Sequence, residues 1–198
     1  MTIIDLDTHK VALMPIGEGS LELLTQQDCD HIATICAPSR RAEQVAWRTA
    51  LRALIGTEAE VVYLPSGAPS LTANKWQISV SHNAGWGAVA VGEHRCGIDI
   101  ESISRNFERV AARYISTAEE ALPESSHTLF RVLLWSAKEA IYKYLSLSGI
   151  DFLEDIRITS TDIGNRKLQA EFRGVALPEV EFRIIEEQSV LCIIRDKA

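Results

Sequence analysis

Three stretches of the chain repeat apolar residues at the three- and four-residue spacing of a helix that buries one face. In the first, the apolar stripe consists of Trp47, Leu51, Leu54 and Ile55. Pro38 suits the first turn of this helix and Gly56 suits its end, so we predict a helix over 38–55. The longest pattern covers 127–148 and is closed by Gly149, and a third covers 21–36.

Short apolar segments separated by turn-forming residues predict strands in the rest of the chain. These segments are 10–16, 60–64, 76–82, 87–91, 95–101, 155–160, 167–173, 180–185 and 190–194. Turn residues at 83–85 and 92–94 predict an antiparallel meander over 76–101. Helices followed by such strands occur twice, with the change near residue 102. The pattern therefore predicts an α+β fold, a pseudodimer of two similar halves (1–102 and 103–198), each with helices packed on a small antiparallel sheet.

Composition narrows the class of protein. The chain has 198 residues, 46% of them hydrophobic, and a formal net charge of −7. The hydrophobic content disfavours a disordered chain, since disordered chains are poor in apolar residues. The negative net charge disfavours a general nucleic-acid binder, since such proteins carry an excess of basic residues. No apolar run is long enough to span a bilayer, and the four cysteines form no CxxC pair. Asp5 and Asp7 stand near the start, where a signal peptide would carry basic residues. We expect a cytoplasmic protein with buried thiols and without a membrane or nucleic-acid partner.

The first candidate for chemistry is the segment GIDIE at 97–101. On a strand, Asp99 and Glu101 point to one face and the isoleucines between them to the other. Two neighbouring carboxylates repel each other, and a cation removes that cost. Oxygen ligands without Cys or His suit Mg²⁺. The alternative is a solvated edge strand that alternates acidic residues with isoleucine.

The second candidate is WSAKEAIYK at 135–143, within the predicted helix 127–148. Glu139 and Lys143 are four residues apart on one helix face, with Trp135 one turn earlier. An exposed ion pair is one interpretation. The helix is apolar almost all round, however, which is typical of a buried helix, and a charge on it needs a partner or a ligand. We therefore expect Glu139 and Lys143 to line a cleft.

Two further features carry polar chemistry. Ser81 and His82 end a predicted strand, but neighbouring strand residues point to opposite faces and the chain has no GxSxG elbow, so a serine hydrolase is a weaker hypothesis. In the helix after Pro38, Arg41, Arg48 and Arg52 share the face opposite the apolar stripe. This face is either a phosphate site, since guanidinium groups match phosphate oxygens, or a solvated helix surface.

Together and in order, these motifs resemble the 4′-phosphopantetheinyl transferase superfamily. The family writes the two main motifs as G-[IV]-D-[IV]-E and [WF]-[SCT]-x-K-E-[AS]-x-x-K. The Ser81-His82 strand end and the earlier Gly67-x-Pro69 turn add to the resemblance, and SRRAEQVAWR at 39–48 is similar to the arginine-bearing helix of the enterobactin-type members. The resemblance covers about residues 40–143. The length is similar to the monomeric surfactin/enterobactin type, a pseudodimer of two α+β halves.

The resemblance implies a function and a set of roles. The chain would transfer the 4′-phosphopantetheine arm of coenzyme A, its substrate, to a serine of an acyl- or peptidyl-carrier protein. Asp99, Glu101 and Glu139 would hold Mg²⁺, or Mn²⁺ in its place. Glu139 would also receive the serine proton, and Lys143 would stabilise the departing 3′,5′-ADP.

The remaining implied contacts are with coenzyme A, and they involve Arg40, Arg41, Arg48, Gly67, Pro69, Ser81, His82 and Lys143, with His82 also counted among the catalytic residues. Two positions depart from the family pattern. Ala68 stands where a basic residue is usual, and Ser79 where Asn is common. Two alternatives stay open beside the transferase: a coenzyme A-binding protein of the same fold without turnover, and the serine hydrolase.

Overall fold

A computed structural model describes residues 1–72 and 75–197. The chain forms two compact units, Met1–Cys96 together with Lys197, and Gly97–Asp196. The fold class is α+β, as predicted. Within the described part of the chain, no helix has the length and apolar character needed to cross a membrane.

Over residues 1–72 and 75–96, the first unit contains two helices and six strands. Its strands are β1 (Thr2–Leu6), β2 (His9–Pro15), β3 (Val61–Tyr63), β4 (Pro69–Leu71), β5 (Gln77–His82) and β6 (Trp86–Gly92). Its helices are α1 (Gln26–Ala33) and α2 (Pro38–Ile55), preceded by a 3-10 turn at Leu21–Leu23. Four strands form a sheet in the order β1-β2-β6-β5 with antiparallel pairs, and β3 and β4 form a separate antiparallel hairpin.

Helix α2 covers the four-stranded sheet with the face that the apolar pattern predicts. Trp47 and Leu51 are buried in a core that also contains Val89 of β6. The bounds of α2 agree with the prediction of 38–55. Gly56 ends the helix with a positive φ (61°) and a ψ of −142°, a conformation that glycine adopts readily, and its N–H is bonded to the Arg52 carbonyl.

The second unit is built on a larger sheet. Its strands are β7 (Cys96–Ser102), β8 (Ile156–Asp162), β9 (Lys167–Phe172), β10 (Val175–Ala176), β11 (Val180–Ile185) and β12 (Ser189–Arg195). Its helices are α3 (Thr117–Glu120) and α4 (Phe130–Leu145), with a 3-10 helix at Glu108–Arg113. The strand order is β10-β9-β11-β12-β7, and β8 also pairs with β9.

Helix α4 is the centre of the second core. Its residues Phe130, Leu133, Ala137 and Ile141 are buried with Val190 and Cys192 of β12. Polar positions on the helix are buried as well, among them Ser136 and Lys138, at 0% exposed each. The prediction of a buried helix is therefore confirmed.

Three predicted elements differ from the structure. The helix expected over 21–36 is restricted to α1, because a capping box between Thr25 and Asp28 starts the helix there. Helix α4 ends at Leu145 and not near Gly149, since Ser146 already adopts a left-handed conformation (φ 52°). The predicted meander over 76–101 is wrong for its third strand: β5 and β6 form a hairpin, whereas β7 lies beside β12 in the other sheet.

The placement of β7 also bears on the division of the chain. The sequence interpretation divides the halves after residue 102, which assigns the Asp99 strand to the first half, whereas the compact units divide between Cys96 and Gly97. Each unit has one long helix packed on an antiparallel sheet. That the two are duplicated halves of a pseudodimer stays a prediction.

Candidate active site

Strand β7 carries the first two predicted site residues. Ile98 and Ile100 are 0% and 1% exposed. Asp99 and Glu101 alternate with them, and the Asp99 side chain is only 7% exposed. The burial of Asp99 disagrees with the alternative of a solvated edge strand, and a buried carboxylate requires a compensating charge or donor.

Helix α4 supplies that compensation. Lys143 Nζ lies 2.9 Å from Oδ1 of Asp99 and donates a second hydrogen bond to the Ile98 carbonyl at 3.0 Å. Ser136 Oγ donates to the Asp99 carbonyl at 3.1 Å. Lys143 therefore pairs with Asp99 on β7 and not with Glu139 one turn earlier, so the surface ion pair considered for Glu139 and Lys143 is not formed.

Glu101 has two donors on a single oxygen. Trp135 Nε1 of α4 donates to Oε1 at 2.9 Å, and Arg105 Nη1 lies 2.6 Å from the same atom. The Glu101 side chain is 13% exposed. Burial, followed by the charge of Asp99, raises the pKa of Glu101, and Arg105 and Trp135 oppose that rise.

Glu139 differs from Asp99 and Glu101 in having no hydrogen bond or ion pair to offset its negative charge among the residues that the structure describes. It is partly buried. Burial raises its pKa first, the Asp99 charge raises it further, and Lys143 lowers it. A carboxyl group with a raised pKa, close to other charges, is typical of a functional site.

A divalent cation suits the chemistry of these three side chains. Asp99 raises the pKa of both Glu101 and Glu139, which places the three carboxylates in mutual repulsion. Carboxylate oxygens are the ligands that Mg²⁺ prefers. In the described residues, however, no three Asp, Glu, His or Cys side chains are arranged as a metal site, and cationic side chains contact Asp99 and Glu101. The three carboxylates thus have the chemistry that Mg²⁺ requires of its ligands. In the structure, however, Asp99 is paired with Lys143 and Glu101 with Arg105.

The first unit brings two other predicted residues together. Arg40 near the start of α2 donates from Nη1 to Nε2 of His82, at the end of β5, at 3.1 Å. Glu43 joins them, since its Oε2 lies 3.1 Å from Arg40 Nη1 and 3.4 Å from His82 Nδ1. Because Arg40 can only donate, the imidazole accepts through Nε2 and directs its Nδ1–H toward Glu43. The Arg40 side chain is 60% exposed, so this cluster is open to solvent.

The arginine face of α2 is divided by burial. Arg41 is exposed, whereas Arg48 and Arg52 are 1% and 4% exposed. Arg52 Nε lies 2.7 Å and Arg48 Nη1 lies 3.4 Å from the Asp28 carboxylate of α1. The solvated-surface alternative is therefore wrong for Arg48 and Arg52, because both are buried and both pair with Asp28 of α1.

The other predicted residues of the first unit occupy distinct places. Ser81 is buried at 5% exposed, on the face of β5 opposite His82, so the two side chains are not directed at each other. Gly67 forms the turn between β3 and β4 with φ of 82°, and Pro69 begins β4. The turn expected at Gly67-x-Pro69 is therefore present, but it ends at Ala68 because Pro69 already belongs to β4.

Sequence reasoning missed four residues of these clusters. Glu43 lies in the arginine-bearing segment 39–48, where only the basic residues drew attention, and Arg105 lies in a polar segment without a motif. Lys138 is part of the WSAKEAIYK motif, yet it is fully buried, and it donates to the Tyr114 and Phe152 carbonyls at 2.6 and 2.8 Å. It also lies 2.7 Å from Glu119 of the capping box that begins α3. The Ser-x-x-Glu pattern at 116–119, which is typical of a capping box, is the sequence signal for Glu119.

Comparison with known proteins supports the resemblance. Residues 95–193 match the family model described as the 4′-phosphopantetheinyl transferase superfamily. The matched segment contains β7, α4 and all three carboxylates. A comparison with curated proteins gave no significant match. The chain belongs to the 4′-phosphopantetheinyl transferase superfamily.

Proposed function

We propose that the chain transfers 4′-phosphopantetheine from coenzyme A to a serine hydroxyl of an apo acyl- or peptidyl-carrier protein, with Mg²⁺ as the cation. The observation that carries the proposal is the group formed by Asp99, Glu101, Glu139 and Lys143 on β7 and α4, inside the segment that matches the family. Mg²⁺ would be held by the three carboxylates and would neutralise phosphate charge.

The chain's own residues divide the work of the transfer. The serine oxygen forms a bond to the phosphorus next to the pantetheine arm, and the bond from that phosphorus to the bridging oxygen breaks, releasing 3′,5′-ADP. Glu139 accepts the serine proton. A raised pKa suits this role, because a stronger base takes the proton more readily near neutral pH. The Lys143 ammonium, held by Asp99, stabilises the charge on the departing phosphate.

In the first unit, the proposal assigns coenzyme A phosphates to Arg40 and His82, with Arg41 as a further exposed cation. Ser81 and the Gly67–Pro69 turn stay in the proposal as contacts through backbone or hydroxyl groups. Arg48 is proposed to act indirectly, by holding α2 against α1. A monomeric, pseudodimeric chain and a cytoplasmic location complete the proposal. The expectation of buried thiols holds for Cys96 and Cys192, but it is wrong for Cys36, which is exposed, and Cys29 is only partly buried.

The test is mass spectrometry of apo acyl- and peptidyl-carrier proteins after incubation with coenzyme A, Mg²⁺ and the chain. The expected result is a mass gain of one phosphopantetheine on the carrier serine, which is lost in excess EDTA and restored by Mg²⁺ or Mn²⁺. Coenzyme A binding without any mass gain on a panel of carriers would favour the alternative of a binding protein without turnover.

A further inference from the structure

We propose that Trp135 and Arg105 are positioning residues that fix one oxygen of Glu101 and leave the other for the divalent cation. The inference rests on the proposed function, which assigns Glu101 to that cation. Both donors bind Oε1, at 2.9 and 2.6 Å. Oε2 makes no hydrogen bond or ion pair with another residue among those that the structure describes. The carboxylate is thus held by one oxygen only.

Trp135 is a rigid donor because aromatic rings surround it. Its ring centroid lies 5.2 Å from Tyr114, 6.0 Å from Phe107 and 5.8 Å from Phe152. Rings packed at these distances and tilts leave the indole little freedom to turn. Its Nε1–H can only donate, so its direction determines where Oε1 must lie.

Arg105 is half-exposed, yet it is also held in place. Its side chain is 52% exposed, and its guanidinium carbon lies 4.9 Å from the Phe107 ring and 5.8 Å from the Trp135 ring. A planar guanidinium can stack on such rings while it donates to a carboxylate, whereas an ammonium group cannot reproduce both contacts in one orientation. Phe107 and Trp135 therefore select the direction from which Arg105 approaches Glu101.

Two donors on the same oxygen restrict rotation of the carboxylate. Ligands of metal ions are commonly oriented by such outer hydrogen bonds, and loss of one lowers metal affinity about 10- to 100-fold. A competing explanation is that Arg105 only screens the charge of Glu101. Under that explanation Trp135 is irrelevant to the cation, and any cationic residue at 105 serves equally well.

The experiment is isothermal titration calorimetry of the purified full chain with Mn²⁺ alone, without substrate, and it measures the Kd for Mn²⁺. Trp135→Phe removes the N–H without a change of charge, and Arg105→Lys keeps the charge without the planar fork. We expect both variants to bind Mn²⁺ about 10- to 100-fold more weakly than the wild type. Trp76→Phe in the first unit and Arg109→Lys, on the exposed 3-10 helix, are the matched controls and should bind as the wild type does.

Thermal melts establish that each variant is folded. If Trp135→Phe unfolds, Arg105→Lys carries the test, because its side chain is largely in solvent. Wild-type affinity in a folded Arg105→Lys or Trp135→Phe chain would overturn the inference, as would absence of Mn²⁺ binding by the wild type. The carrier mass assay reports separately on the proposed function, so a chain that modifies a carrier but shows either result loses only this inference.

Discussion

Gly97 on β7 lies against the backbone of α4, so close that a β-carbon on it would stand 2.0 Å from the carbonyl oxygen of Ala140. The same β-carbon would lie 2.6 Å from the backbone nitrogen of Tyr144. Both neighbours are backbone atoms, which cannot turn aside. The first residue of the GIDIE motif is therefore a packing requirement, since it lets α4 approach near enough for Lys143 to reach Asp99.

Gly97→Ala should accordingly destabilise the second unit. Forcing a methyl group into this contact should lower the free energy of unfolding by about 1–3 kcal/mol or more. Gly164→Ala is the control, because a β-carbon there meets only the Asp162 carboxylate, at 3.6 Å. Urea unfolding of both variants measures the difference. Equal stabilities would show that α4 and β7 can separate without cost.

The helix bounds and the site residues follow from the sequence to different degrees. Both ends of α2 are marked by local signals, Pro38 and Gly56, that agree with the apolar stripe between them. The position of β7 is not marked in this way. Its turn residues and apolar pattern suit pairing with β6 as well as with β12, and the choice depends on contacts with α4 that lie far away in the chain.

The same limit applies within the site. The motifs indicate Asp99, Glu101, Glu139 and Lys143, because each sits at a spacing that directs it to a particular face. Spacing does not reveal which cation meets which carboxylate. The pairs of Lys143 with Asp99 and of Arg105 with Glu101 form only when α4 packs on β7. Likewise, periodicity places Arg48 opposite the apolar stripe, but the covering Asp28 comes from another helix.

Lys138 provides a second prediction, on stability. Its ammonium is fully buried and joins Glu119 to two backbone carbonyls, so Lys138→Met leaves the Glu119 carboxylate buried without its cation. Removing one partner of a buried pair typically costs about 3–5 kcal/mol. Lys167→Met is the control, because its side chain is 49% exposed and a solvent-accessible pair such as that with Glu179 is worth under about 1 kcal/mol. Similar melting temperatures for the two variants would contradict the structural role of Lys138.

Two of the four arginines of α2, Arg40 and Arg48, should respond differently to substitution. Arg40 is exposed beside His82, so Arg40→Met should raise the KM for coenzyme A more than that for the carrier, at unchanged stability. Arg48 is 1% exposed, pairs with the buried Asp28 and donates to the Tyr63 hydroxyl at 2.9 Å, so Arg48→Met should cost about 1–3 kcal/mol of stability. Steady-state kinetics and thermal melts separate the two effects. A stable Arg48→Met chain with a raised KM for coenzyme A would instead support direct contact between Arg48 and a coenzyme A phosphate.

His31 should make the first unit sensitive to acid. Its ring stacks on Tyr63 at 5.1 Å, and its pKa is lowered from 6.5 by burial and then by Arg48, while Asp28 opposes the change. The unfolded chain therefore binds the His31 proton more readily, and stability is lost as the pH falls below 6.5 and through the lower folded pKa.

Urea unfolding of wild type and His31→Phe, above and well below pH 6.5, isolates this contribution. The phenyl ring keeps the stack on Tyr63 but cannot be protonated, so the loss of stability on acidification should be smaller in the variant. His94→Gln is the control, since that side chain is exposed. An unchanged loss in His31→Phe would assign the acid sensitivity to other groups.

Ionised Glu139 should lower the stability of the folded chain, although the proposed reaction requires it. Burial and the Asp99 charge raise the pKa of Glu139 above 4.5, so the folded chain binds this proton more tightly than the unfolded chain does. Stability is therefore lost as the pH rises above 4.5 and through the folded pKa. Glu139→Gln removes that charge at similar volume and should melt at an equal or higher temperature than the wild type. Turnover should fall by about 10²- to 10⁴-fold, as expected for loss of a general base.

Lys143→Met is the contrasting variant, because it removes the ammonium group that lies 2.9 Å from the buried Asp99 carboxylate and should lower stability together with turnover. A folded Glu139→Gln chain that modifies the carrier at the wild-type rate would remove Glu139 from the mechanism.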